Sequence, residues 1–244
     1  MLIRLMIMFL LFSQVVFPQL RVLQSTSSKY FNVKFEKSIP KDELRDIISS
    51  SGKIYERYRN KFGFGFLEKK TLFVLATAAR LKYESGSKVF EDGDYKNDNL
   101  YIVSFDEREK RENIENVLCR IISRGLLEQI PACSPWFAEA YSLMAGNDIE
   151  KFGRPVQLNI STLADLGEDY ARTLDKKGFR DLYAKLGSTI QFLLERYGEQ
   201  KLIAVIKRFR EGKTIEETFP AVFNDSMREI EKAWVLDLKN PVRE

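Results

Sequence analysis

Residues 112–140, ENIENVLCRIISRGLLEQIPACSPWFAEA, decide how this chain is read. Ile114, Val117, Leu118, Ile121 and Ile122 recur three and four apart, the spacing that places apolar side chains on one face of an α-helix. Two prolines, Cys133 and Ser134 interrupt the run between Ile130 and Trp136. The stretch therefore predicts a helix from about Asn113, a short turn, and a second helix starting near Pro135 and Trp136. On the first helix Arg120 and Arg124 lie four apart, one above the other on the same face.

Working outward toward the N-terminus, residues 30–35 largely alternate and are rich in aromatics, which predicts a strand. Pro40 opens a long helix to about Phe62, with Asp42 and Glu43 suited to the positive end of its dipole and Gly63 and Gly65 ending it. Residues 71–76 read as a central strand, and 88–90 and 100–103 as two more, divided by the turn signals Gly93-Asp94 and Asn97-Asp98. Gln19 to Ser28 is polar and reads as a linker. Toward the C-terminus the pattern is helical: 165–174, 179–197, 199–211, 215–222 and 226–238, with Gly198 and Gly212 as stops and Ser226 with Glu229 as a capping box. The fold class expected is α+β, a small N-terminal mixed sheet with helices followed by a helical C-terminal half.

Composition bounds the chemistry. With 244 residues, 44% of them hydrophobic and 30% charged, the chain is long enough for one sizeable core. A net charge of +4 without a Lys/Arg block argues against a nucleic-acid partner. There is no histidine, so a metal site would have to be built from cysteine and carboxylates, and no cofactor is expected. Arg4 followed by the apolar run from Leu5 to Phe12 reads as a secretory leader within residues 1–20, short of the ~20 apolar residues of a bilayer span. It implies export to a periplasmic or extracellular space, with membrane attachment only where the segment stays uncleaved; a buried N-terminal helix is the competing reading. In such a compartment Cys119 and Cys133 suggest a disulfide, against two free buried thiols.

The helix–turn–helix of residues 112–140 resembles the active-site core of the gluzincin zinc metallopeptidases, the peptidase MA-like superfamily. In that family a His-Glu-x-x-His helix precedes a Trp-x-x-Glu helix that carries the third zinc ligand. Trp136-Phe137-Ala138-Glu139 matches the second half. The first half reads Arg120-Ile121-Ile122-Ser123-Arg124, with arginine at both histidine positions and isoleucine, Ile121, at that of the general base. Tyr183, in Tyr183-Ala184-Lys185-Leu186-Gly187-Ser188, resembles the tyrosine that steadies the oxyanion in related aminopeptidases. The resemblance spans roughly residues 30–238. It implies one domain over 29–240, with a sheet-containing half, 29–112, and a helical half, 113–240. An unrelated α+β domain is the alternative.

The resemblance also implies a degenerate site. Two guanidinium groups carry the charge of the missing divalent ion, so Arg120 or Arg124 is expected to pair with Glu139; Arg124 with Glu128 along its own helix is the competing pairing. Loss of ligands and base together implies an inactive homologue that binds a peptide or protein through an anionic group. The alternative is an active hydrolase using a different or carboxylate-only site. Ser123 has no histidine to activate it, and without a metal-bound water Tyr183 reads rather as an aromatic packed on the cleft wall with its hydroxyl satisfied.

Overall fold

A computed structural model describes residues 23–87, 89–104, 112–153, 162–172 and 176–239. The segment expected to be a leader lies outside them. The fold is α+β: a five-stranded mixed sheet on the N-terminal side, then helices.

The sheet is built from β1 (Gln24–Ser27), β2 (Phe31–Phe35), β3 (Lys70–Leu75), β4 (Gly93–Lys96) and β5 (Asn99–Val103), in the order β1-β2-β3-β5-β4. The three inner strands are parallel and both edges antiparallel. Period-two alternation sends Phe31, Val33, Leu72, Val74, Leu100 and Ile102 into the main core. On the other face Phe73, Leu75 and Tyr101 form a smaller cluster with Leu81.

Parallel neighbours need crossovers. The first is α1 (Lys41–Phe62), which buries Ile47, Ile54, Tyr55, Tyr58 and Phe62 and ends where Gly63 takes a left-handed conformation, φ 79°. The second contains α2 (Ala78–Ser85), capped by the Thr77 side chain, which accepts from the Arg80 N–H. Then come α3 (Glu112–Glu128) and α4 (Pro135–Ala145), joined by the turn at Pro131. A 3₁₀ turn (Ile149–Phe152) precedes α5 (Leu163–Arg172), α6 (Lys176–Tyr197), α7 (Glu199–Arg210), α8 (Ile215–Phe223) and α9 (Met227–Lys239). Among the described residues no helix is long and apolar enough to cross a membrane.

Three local expectations are corrected. The strand placed at 88–90 is absent at Val89 and Phe90 (Lys88 lies outside the described residues), and the pairing strand is Gly93–Lys96. The two-residue turn Asn97-Asp98, with φ 48° and 65°, sets that register, because positive φ at both central residues matches strand twist in a hairpin. Gly93 is strand, not turn: an added Cβ would lie 2.5 Å from Val117 Cγ1 and 2.7 Å from the Tyr101 carbonyl oxygen, so glycine lets α3 approach the sheet. The linker at 19–28 contains β1, whose polar residues suit an edge with every side chain exposed. The short helix α2 went unread in the sequence, since eight residues carry too little periodicity.

Candidate functional site

Helix α3 lies against the sheet and α4 packs on it, so the arginine-bearing face of α3 meets Glu139 from α4 and Asp94 from β4. Arg124 Nη1 stands 2.9 Å from Glu139 Oε2 and 3.3 Å from Asp94 Oδ1, while its Nε lies 2.7 Å from Glu128 Oε1. Arg124 therefore makes both pairings that the sequence left open. Glu139 is fully buried and also accepts a hydrogen bond from the Tyr170 hydroxyl at 3.1 Å.

One guanidinium thus faces three carboxylates. Burial, reinforced by the charges of Asp94 and Glu128, raises the pKa of Glu139 above the usual carboxylate value despite the opposing pull of Arg124 and Tyr183. Tyr183 sits in the same wall, 5% exposed, with Phe152 and Phe90 rings at 4.9 and 5.7 Å. Its own pKa is pushed well up by burial and by the Glu139 charge, so the phenol stays neutral.

Arg120 does not join this cluster. It is 2% exposed, paired with Asp92 and Asp148, and donates to the Gly93 carbonyl at 3.0 Å. Its guanidinium lies over the Phe90 ring, 3.8 Å from the centroid. Lys151 completes a balanced set, 3.6 Å from Asp92 and 3.7 Å from Asp148. Burial alone would raise the Asp92 pKa, but Arg120 and Lys151 outweigh it and hold the carboxyl below its usual value. The two arginines, stacked on one face of α3, serve two separate charge clusters.

The remaining expected residues are structural. Ile121 is 1% exposed in the core, and the Ser123 hydroxyl donates back to the Arg120 carbonyl at 3.1 Å. Cys119 and Cys133 are free and buried rather than joined. Cys119 lies within α3 on the side that faces α1, whereas Cys133 lies in the loop past the end of that helix, where its thiol donates to the Ser134 carbonyl at 3.8 Å. The Cys119 thiol accepts from Arg57 Nη2 at 2.7 Å, and burial pushes Cys133 up to about 12.

Asp92, Asp94, Asp148 and Tyr170 are essential partners that sequence reasoning missed. They come from a loop, an edge strand, a turn and a late helix, and only the topology makes them neighbours. Among the described residues no three His, Cys, Asp or Glu side chains are grouped to hold a metal ion. Neither arginine has charge to spare for an external carboxylate, since Arg120 meets two acids and Arg124 three. Compared with known proteins, the sequence matches no family model and no curated relative.

Proposed function

We propose that this is an exported, catalytically inactive relative of the gluzincin peptidases that acts by binding a peptide or protein rather than cleaving it. The observation that carries the proposal is the Arg124 guanidinium lodged between α3 and α4 on the fully buried Glu139 carboxylate. In the family that Glu139 resembles, this carboxylate ligates zinc; here an organic cation fixed to the chain meets it instead. A buried carboxylate without a counter-ion would face a desolvation cost of several kcal/mol, and Arg124 offsets it. Ile121 at the base position is locked in the core and offers no proton acceptor. Because both guanidinium groups are neutralised internally, the ligand surface lies elsewhere than at the arginines.

The test is metal analysis of native protein together with a screen against quenched fluorescent peptide libraries. We expect zinc well below one equivalent and no turnover. Stoichiometric zinc, or hydrolysis abolished by Glu139→Gln in a variant that stays folded, would end the proposal. Export is tested separately, by N-terminal sequencing of protein recovered from the envelope fraction; an intact Met1 in a cytosolic pool contradicts it.

A further inference from the structure

A second feature, away from the Arg124–Glu139 cluster, is a cleft of about 440 Å³ where the first turns of α4, α5, α8 and α9 come together. Trp136, Leu163, Ile215 and Met227 supply apolar wall, and Glu216 and Glu231 supply negative charge. Converging helix N-termini favour an anion when their N–H groups are free. Here the chain's own carboxylates already accept from several of them. Glu231 Oε1 takes the Leu163 N–H at 2.8 Å, and Asp165, Glu217 and Glu229 take those of Thr162, Thr214 and Ser226. Those hydrogen bonds hold Glu217 and Glu229 below the usual carboxylate range, so both stay charged. The dipoles of α5, α8 and α9 are thus answered by the chain's own carboxylates, and Glu216 at the cleft rim is left exposed to solvent.

Gly167 is the second observation. It sits inside α5 and lines the cleft beside Trp136, although glycine weakens a helix interior relative to alanine. Nothing nearby demands it: an added Cβ would meet Trp136 Cδ1 at 3.4 Å, an ordinary contact, and its φ is not positive. A side chain there would grow into the cleft, so the glycine keeps that space open.

We propose that this cleft binds an organic cation carried on an aliphatic stem, as a lysine or arginine side chain of a peptide presents it. The stem lies along Trp136, Leu163 and Met227, and the ammonium or guanidinium group meets Glu216 and Glu231. Such a site supplies a binding surface for the non-catalytic role proposed above, yet it rests on the cleft alone, and its failure leaves the zinc and hydrolysis results untouched.

The experiment is calorimetric titration of the full chain with a capped Leu-Lys-Leu peptide, its Leu-Glu-Leu counterpart, and hexylamine, at low and high salt. The lysine peptide binds, the glutamate peptide does not, and salt weakens the association. Glu216→Gln reduces affinity by about three- to fivefold, the range of an exposed ion pair. Gly167→Leu, whose fold is checked by thermal melting, abolishes binding. Hexylamine binding as tightly as the peptide identifies a free amine as the source, and binding restricted to the peptide identifies a polypeptide partner. Binding of neither cation, equal binding of the glutamate peptide, or binding untouched by a folded Gly167→Leu variant overturns the proposal.

Discussion

Arg124 is held by three carboxylates from three elements, so removing it leaves Glu139 buried beside Asp94 and Glu128 with no cation. Arg124→Ala is expected to cost about 3–5 kcal/mol in chemical denaturation, the range for breaking a buried pair. Replacing both partners by apolar groups, Arg124→Met with Glu139→Leu, should recover most of that loss, because no buried charge is then stranded. The pH dependence separates the two clusters. Glu139 has a raised folded pKa, so its contribution is fully present below its ordinary value of 4.5 and is lost as pH rises through the raised one. Asp92 has a lowered pKa, so its contribution is present above 3.8 and is lost as pH falls through the folded value. Melting curves from pH 3 to 8 should show Glu139→Gln flattening the decline above pH 4.5 and Asp92→Asn flattening the loss below pH 3.8. Identical pH profiles for wild type and Glu139→Gln would contradict the assignment.

At the scale of elements, two close approaches define the site. Helix α3 reaches the sheet over Gly93, and Gly93→Ala should cost about 1–3 kcal/mol by overpacking against Val117 and the Tyr101 carbonyl. Gly63 provides a contrast, since nothing lies within 4 Å of an added Cβ and only its φ of 79° opposes substitution. Gly63→Ala should therefore cost only about 1–2 kcal/mol, the backbone penalty alone. The loop joining α3 to α4 sets the other approach, carrying Glu139 to the arginine face and leaving the two thiols apart. Reductant should thus leave the melting temperature unchanged. Both cysteines should react with a thiol reagent only on unfolding, because burial holds each thiol protonated. A melting temperature that falls on reduction would show a bond between them.

Across the whole molecule, elements with strong periodicity are legible in the sequence. The helix 41–62, the helix from about Asn113 and the C-terminal helices are readable because apolar stripes or terminal signals mark them, whereas α4, buried on every face from Trp136 to Leu143, is announced only by Pro135 at its start. The strand at 93–96 is not legible, because Gly93 and Asp94 have turn chemistry and are strand only through the partner that Asn97-Asp98 folds back onto them. The candidate site divides in the same way. Residue identities alone established that Arg120 and Arg124 share a helical face and that the chain has no imidazole to ligate a metal. Which arginine meets Glu139 was decided only in three dimensions, where β4 brings Asp94 to Arg124, and the loop before β4 and the turn after α4 bring Asp92 and Asp148 to Arg120. Local periodicity places a side chain on a face, but the charge opposite it belongs to a distant part of the chain, and only packing brings the two together.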